Sequence, residues 1–218
     1  MDEAVFHRQL SIYNPNDAQI PVTILGAGMI GSPTAWLLSK LGIEDISIWD
    51  GDKIEKHNFP NQMYPKSAVG NFKVESLKQL ITEWSYSKLQ PVPEYWDDGE
   101  FEGIVISGVD SLEVRKKIFD KVKFRQKIKM FIDGRIGGQQ ISVYCIDPLD
   151  YNQCKYYEST LVKKAEDLPC SQRGVIDVSF FTAGLITRSV REFLVNKKIP
   201  WKCIVFDASE LEIVKYLS

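Results

Sequence analysis

Hydrophobic residues form short runs that alternate with segments of helical spacing through the first half of the chain. Residues 21–25, 46–49 and 104–106 are apolar runs of the kind that form buried strands. Residues 30–41 and 73–84 lie between them and place their apolar side chains at helical spacing. This alternation predicts a mostly parallel sheet with helices on both faces.

The pattern changes in the second half of the chain. A helix at 112–124 and a strand at 129–132 complete the alternating series, and residues 140–146 then alternate like an antiparallel strand. The remaining segments are predicted as a long polar crossover loop at about 147–172, a helix at 177–195 and a strand at 202–206. The predicted fold is a doubly wound α/β domain, with a mostly parallel Rossmann-like sheet and antiparallel C-terminal strands.

Composition narrows the class of protein. The 218 residues fit a single domain over 1–218, and 44% hydrophobic with 26% charged residues is ordinary for a globular protein. A net charge of -2 gives no electrostatic basis for binding DNA or an anionic membrane. No apolar run is long enough to span a bilayer, and the N-terminus lacks a signal peptide, so a cytoplasmic location is expected.

The metal-ligating residue types are scattered. The four cysteines form no C-x-x-C pair, which argues against a zinc site and predicts free thiols. Cys145 and Cys203 fall in predicted strands and are expected in the core. His7 and His57 are the two histidines of the chain, too few for a histidine metal site.

A glycine turn carries the first chemical signal. Gly26, Gly28 and Gly31 follow a predicted strand and open a predicted helix, an arrangement that directs backbone N–H groups at phosphate oxygens. Asp50 ends the next strand, where a carboxylate can accept hydrogen bonds from ribose hydroxyls. These features alone fit an NAD-dependent oxidoreductase as well as an ATP-binding enzyme.

An ordered set of motifs separates the two possibilities. After the glycine turn come Asp50-Gly51-Asp52-Lys53-Ile54, His57-Asn58-Phe59-Pro60-Asn61-Gln62, Gly70-Asn71-Phe72-Lys73 and an Asp110 to Arg115 segment, with Arg8-Gln9 upstream. This series resembles the ThiF/MoeB/HesA family, whose adenylation domain is shared with ubiquitin-activating enzymes. The resemblance runs from about residue 6 to residue 193.

The resemblance implies a nucleotide site for ATP and Mg²⁺. It implies that the three glycines cradle the nucleotide, that Asp50 holds the ribose and that Asp110 coordinates Mg²⁺. Asn58 and Lys73 contact phosphates, and Lys73 offsets the charge that develops as pyrophosphate leaves. Gln62 and Asp52 are counted with the nucleotide-binding residues, although Asp52 also reads as a turn residue.

The resemblance also implies a reaction and its partners. The family adenylates the C-terminal carboxylate of a small ubiquitin-like or sulfur-carrier protein that ends in Gly-Gly. Arg8 reaches the γ-phosphate in the neighbouring subunit of a homodimer. Cys170 matches a family cysteine that in some relatives forms a covalent link or transfers sulfur, with Arg173 beside it to lower its pKa; a loop thiol without a role is the alternative. Cys154 is a weaker candidate in the same loop.

One position departs from the family pattern. Asn61 stands where the family has arginine, and an amide cannot reproduce the forked grip of a guanidinium on phosphate oxygens. Either another basic residue substitutes, with Lys53, Lys56, Lys66 and Arg135 as candidates, or the ATP chemistry is weakened. The second alternative makes the chain a non-catalytic nucleotide-binding subunit that supports an active partner.

Overall fold

The computed structural model describes residues 3–162 and 174–217, and strands alternate with helices along most of them. The helices are α1 Glu3–Phe6, α2 Gly31–Leu41, α3 Lys73–Trp84, α4 Leu112–Val122, α5 Tyr151–Ser159 and α6 Ile176–Asn196. The strands are β1 Val22–Leu25, β2 Asp45–Trp49, β3 Lys88–Val92, β4 Gly103–Ser107, β5 Ile128–Gly137, β6 Gln140–Ile146, β7 Cys203–Asp207 and β8 Glu212–Tyr216. Two 3₁₀ turns occupy Lys56–Asn58 and Lys66–Ala68.

The strands of the described residues form one sheet in the order β3-β2-β1-β4-β5-β6-β7-β8. The five strands from β3 to β5 are parallel, and the pairs β5–β6, β6–β7 and β7–β8 are antiparallel. The predicted doubly wound fold with antiparallel C-terminal strands is therefore confirmed. The chain winds outward from β1 to β3 and then returns to the other side of β1, which creates a switch point beside β1.

The core lies on both faces of the sheet because alternate residues of the central strands point to opposite sides. Ile104 and Ile106 of β4 belong to a buried cluster that also contains residues of α2, α3 and α6. Val105, between them, belongs to a second cluster with Phe119 of α4 and Tyr157 of α5. Helices therefore cover both faces of the parallel part of the sheet, which is why β4 can be apolar along almost its whole length. Across the described ranges, no helix combines the length and apolar character that a bilayer crossing needs.

The sequence analysis misses two strands, β3 and β8, because neither shows a clear alternation of buried and exposed residues. β3 lies at one edge of the sheet and contains Pro91, a residue that sheets tolerate at their edges. β8 forms the other described edge, and all five of its residues are exposed. Backbone pairing with one neighbour specifies each of these strands, so the hydrophobic pattern carries little signal.

The prediction of a polar loop at 147–172 is wrong for Tyr151–Ser159, which forms α5. The Asp150 side chain accepts hydrogen bonds from the backbone N–H groups of Asn152 and Gln153, at 2.8 and 3.0 Å, and so caps the helix. Cys154 and Tyr157 lie one turn apart and bury the inner face of the helix. Residues 163–173 lie outside the described ranges, and the mobile crossover loop stays a prediction.

Candidate functional site

A cleft of about 1000 Å³ lies at the carboxyl ends of β1, β2 and β4, beside the switch point. Leu25 pairs with Trp49 and with Ser107, so the three strands end level with one another. The segments that follow them therefore meet at one edge of the sheet. The predicted site residues that line the cleft are Gly26, Gly28, Asp50, Asp52, Asn58, Gln62, Lys73 and Asp110.

The three glycines of the turn have different physical roles. Gly26 has a φ of 94°, which side chains rarely adopt. A Cβ on Gly31 would lie 1.8 Å from the carbonyl oxygen of Gly26, so only glycine allows α2 to start this close to β1. A Cβ on Gly28 would meet no atom within 4 Å. Since Gly28 lines the cleft, its missing side chain leaves open the space where a ligand can approach the backbone.

Asp50 and Asp52 form ion pairs with Lys73, and all three residues line the cleft. The Lys73 Nζ atom lies 2.7 Å from Asp52 Oδ2 and 3.8 Å from Asp50 Oδ2. Both oxygens of Asp50 also accept backbone N–H groups, those of Ala27 at 2.7 Å and Asp52 at 2.8 Å. Asp50 therefore anchors the glycine turn, while the Asp52 side chain is 46% exposed and open to a ligand. The ribose role of Asp50 stays a prediction.

The two carboxyl groups have opposite pKa shifts. Burial raises the pKa of Asp50 above its ordinary value, and the nearby Lys73 charge offsets part of that effect. Burial also acts to raise the pKa of Asp52, but hydrogen bonds from Lys73 and Tyr95 outweigh it and leave the pKa below its ordinary value. As the pH falls, Asp52 therefore keeps its negative charge to a lower pH than Asp50 does.

Tyr95 lines the cleft, although no sequence motif includes it. It follows β3, and its hydroxyl donates a hydrogen bond to Asp52. Its ring lies over Gly51, where an added Cβ would be 2.9 Å from the ring. The hydrogen bond to Asp52 raises the pKa of Tyr95 to about 12, so the hydroxyl remains a donor. Tyr95 could have been placed in the cleft only from its position after β3, and the sequence analysis does not predict that strand.

The segment with Asn61 in the arginine position contributes Asn58, Asn61 and Gln62 to the lining of the cleft. Asn58 is buried, and its Oδ1 atom accepts the backbone N–H of Glu55 at 2.8 Å, which fixes the 3₁₀ turn. Asn61 Oδ1 and Gln62 Oε1 are buried atoms with no hydrogen-bond partner among the described residues. Both side chains line the cleft, so a ligand can satisfy these amide groups.

Of the basic residues considered as substitutes for the missing arginine, Arg135 alone lines the described cleft. Lys53, Lys56 and Lys66 are exposed and lie outside it, and the Lys53 ammonium group sits 5.2 Å from the centre of the Phe72 ring. Arg135 is already engaged. Its Nε donates to Asp133 at 2.6 Å, and its two terminal nitrogens donate to the backbone oxygen and hydroxyl of Thr160, each at 3.0 Å.

Asp133 is the centre of a buried charge network that the sequence did not predict. Its side chain is fully buried in the middle of β5, opposite the last residue of β4, and accepts hydrogen bonds from Arg115, Arg135 and the Tyr157 hydroxyl. Arg115 also donates to the backbone oxygens of Val109 and Gly134, so it ties the Asp110 loop to β5. The signal in the sequence is a carboxylate directly after the buried run 130–132.

The remaining predicted catalytic residues are not brought into the cleft. Arg8 is exposed in the turn after α1, and Gln9 beside it donates to the backbone oxygen of Leu41 at the far end of α2. Since an 11-residue helix is about 16 Å long, Arg8 lies well away from its own glycine turn. Its role in a neighbouring subunit stays a prediction. Cys170 lies outside the described residues.

The described cysteines are poor nucleophiles. Cys145, Cys154 and Cys203 are buried free thiols, which confirms that Cys145 and Cys203 belong to the core. Burial raises the pKa of Cys145 to about 12 and those of Cys154 and Cys203 to about 11. The thiolate is therefore scarce at neutral pH, which argues against the reactive role considered for Cys154.

The described residues hold no group of three or more metal-ligating side chains. Asp110 follows β4 and lines the same cleft as Asp50 and Asp52. Magnesium in nucleotide sites is typically held by one or two carboxylates together with phosphate oxygens and water. Asp110 and the open carboxylate of Asp52 fit that pattern.

This sheet, with a glycine turn at its switch point, defines a Rossmann-like α/β domain. The sequence profile of the ThiF family matches residues 18–200, and the chain belongs to that family.

This chain matches only part of the length of its curated relatives. A maize protein named adenylyltransferase and sulfurtransferase MOCS3-1 is 31% identical over 172 residues, 74% of this chain and 36% of that protein. An Aspergillus fumigatus protein named adenylyltransferase and sulfurtransferase uba4 is 37% identical over 75 residues, 34% of this chain and 14% of that protein. The chain thus spans little more than a third of the length of the maize protein.

Solved structures share the fold at low identity. E. coli MccB, solved with ATP, superposes with a TM-score of 0.68 and 18% identity, covering 93% of this chain and 65% of MccB. PaaA superposes with a TM-score of 0.72 and 17% identity, covering 100% of this chain and 67% of PaaA. These neighbours confirm the fold class.

Proposed function

We propose that this chain is an ATP-dependent adenylyltransferase that activates the C-terminal carboxylate of a small ubiquitin-like or sulfur-carrier protein ending in Gly-Gly. The observation that carries the proposal is the convergence of the glycine turn, Lys73 and Asp110 in one cleft. A glycine turn alone would serve any dinucleotide. A buried lysine can offset the charge that develops on phosphate oxygens, and an acid in the loop after β4 can hold the cation that accompanies them.

In the proposed reaction, a carboxylate oxygen of the acceptor attacks the α-phosphorus of ATP. A bond from that oxygen to phosphorus forms, the bond to pyrophosphate breaks, and an acyl adenylate results. Backbone N–H groups of the glycine turn hold the phosphates, and Lys73 moves from Asp52 to the developing pyrophosphate charge. Asp52 is then free for the sugar or the cation. Asp110 would hold a magnesium ion, which would supply neutralising charge to the phosphate oxygens.

The comparisons support the reaction class. The maize and Aspergillus relatives are both named adenylyltransferases, and MccB is a structural neighbour solved with ATP. The acceptor follows from the family resemblance. A homodimer, in which Arg8 of each subunit serves the cleft of the other, belongs to the same proposal, as do the cytoplasmic location and the single adenylation domain at 1–218.

The test is exchange of labelled pyrophosphate into ATP. Exchange is expected with Mg²⁺ and a carrier protein ending in Gly-Gly, and it should be absent with the same carrier lacking those two glycines. The truncated carrier is the matched control because its folded surface is unchanged. Equal exchange with both carriers would show that the terminal carboxylate is not the acceptor.

The charge of the cleft favours a second candidate, a non-catalytic subunit that binds nucleotide and supports an active partner. The cations that line the described cleft are Lys73, Arg115 and Arg135, and each is already paired with a carboxylate. With Asn61 in the arginine position, little positive charge is available for a triphosphate. ATP binding without exchange under any of the acceptor conditions would establish this alternative.

A further inference from the structure

The carbonyl oxygens of four successive residues in the glycine turn all accept hydrogen bonds from hydroxyl groups. Ser32 Oγ donates to Gly28 at 2.8 Å, and Thr34 Oγ1 donates to Ile30 at 2.7 Å. These two bonds are local, because each joins residues four apart at the start of α2, a common pattern for serine and threonine in helices.

The other two bonds come from distant parts of the chain. The Tyr64 hydroxyl donates to the carbonyl oxygen of Ala27, and the Ser179 hydroxyl of α6 donates to that of Met29. Ser179 Oγ also lies 3.2 Å from the carbonyl oxygen of Asn61. Both side chains are buried, and burial raises the pKa of Tyr64 well above its ordinary value, so its hydroxyl stays a neutral donor.

Peptide geometry links these bonds to the cleft. In a trans peptide, the carbonyl of one residue and the N–H of the next point in opposite directions, and the described residues contain no cis peptide bond. Tyr64 holds the Ala27 carbonyl and is not among the residues that line the cleft, so this carbonyl turns away from the cleft and the Gly28 N–H points the other way. Ser179 acts on the Ile30 N–H through Met29 in the same manner. Gly28 and Ile30 both line the cleft.

We infer that Tyr64 and Ser179 are positioning residues that aim the Gly28 and Ile30 amides at the phosphates of a bound nucleotide. The inference rests on the proposed binding of ATP in this cleft. Asp50 also holds the turn, since its carboxylate accepts the Ala27 N–H at 2.7 Å. The turn is thereby held in its binding geometry before the ligand arrives, which lowers the ordering cost of binding.

The test compares removal of these hydroxyls with removal of equally buried hydroxyls elsewhere. Tyr64→Phe is matched by Tyr13→Phe, since Tyr13 is 3% exposed and donates to the Ala18 carbonyl at 3.2 Å. Ser179→Ala is matched by Ser189→Ala on the same helix, where Ser189 is fully buried and donates to the Leu185 carbonyl at 2.7 Å. Neither control residue lines the cleft.

Calorimetric titrations with ATP plus Mg²⁺ and with adenosine give the readout. Tyr64→Phe and Ser179→Ala should each weaken ATP binding about tenfold, the effect of one hydrogen bond to a charged group. Adenosine binding should stay almost unchanged, since adenosine has no phosphate. The control variants should bind both ligands like the wild type. Ser179→Thr, which keeps the hydroxyl, should retain ATP affinity.

Parallel losses of ATP and adenosine affinity would overturn the inference, because they would mean that the hydroxyls only support the fold. Unchanged ATP affinity in Tyr64→Phe would overturn it as well, and this variant decides alone if Ser179→Ala does not fold. Wild-type chain that binds ATP without exchanging pyrophosphate would remove the proposed function but leave this comparison intact. A wild-type chain that binds no ATP would overturn both.

Discussion

Two charged regions border the cleft, and they differ in how their charges are used. Beside the glycine turn, Lys73 faces Asp50 and Asp52, and the Asp52 side chain is 46% exposed. In the second region, the Asp133 side chain is fully buried and forms ion pairs with both Arg115 and Arg135. The first cluster can exchange partners when a ligand enters. The second has no open carboxylate and joins the Asp110 loop, β5 and the end of α5.

A charged side chain that lines a cleft is not for that reason available to a ligand. Arg135 lines the cleft as Lys73 does, yet its guanidinium is held by Asp133 and Thr160 and lies 4.5 Å from the centre of the Tyr144 ring. Removing a partner from a buried pair is costly because a charge is left without compensation. We therefore expect the Asp133 network to control stability and the Lys73 cluster to control activity.

Asp133→Asn should destabilise the chain the most, because it keeps the shape of the side chain but leaves the buried Arg115 and the partly buried Arg135 without their counter-charge. The free energy of unfolding should fall by about 3–5 kcal/mol. Urea unfolding measures it, with Asp97→Asn as the control. Asp97 pairs with Lys117, but its side chain is 90% exposed, so its loss should not measurably change stability. A stability loss of similar size in both variants would contradict the contrast.

Lys73→Ala and Asp110→Ala should act in the opposite way. Each should reduce pyrophosphate exchange by about 100- to 1000-fold, the effect of removing one electrostatic contact in a transition state. Circular dichroism should show the wild-type fold. Lys78→Ala is the matched control, because Lys78 lies on the same helix and is exposed. Normal exchange in Lys73→Ala or Asp110→Ala would overturn the role assigned to that residue.

The same contrast explains what the sequence predicts and what it does not. The glycine turn, Asp50, Asp52 and Lys73 lie within one stretch of 48 residues, 26–73, and their spacing along β1, β2 and the start of α3 carries the signal. The Asp133 network joins residues from 109 to 160, and its partners become neighbours only through the sheet order and through α5. Tyr64 and Ser179 are likewise defined by tertiary contacts, which a single sequence does not show.

Nucleotide choice is the next effect in size. ATP with Mg²⁺ at about 100 times its dissociation constant should stabilise the chain by about 2.7 kcal/mol, or roughly 5–10 °C in melting temperature. NAD at the same concentration should give a much smaller shift, because the Lys73 cluster offers no specific partner to its nicotinamide half. Thermal unfolding with each ligand decides between them. A larger shift with NAD would favour the oxidoreductase alternative.

The smallest effect is expected at Asn61, and it tests whether the cleft lacks a cation. Asn61→Arg should tighten ATP binding by about 1.5–3 kcal/mol, since a guanidinium can grip phosphate oxygens through two hydrogen bonds. Asn61→Lys is the matched control: it adds the same charge without the fork, and should gain less. Calorimetry gives the affinity, and pyrophosphate exchange shows whether catalysis follows. An arginine that tightens binding but leaves exchange absent would favour the supporting-subunit alternative. If neither binding nor exchange improves, the missing arginine is not what limits this site. Arg135→Ala then tests whether Arg135, which also lines the described cleft, already binds the phosphates despite its hydrogen bonds to Asp133 and Thr160.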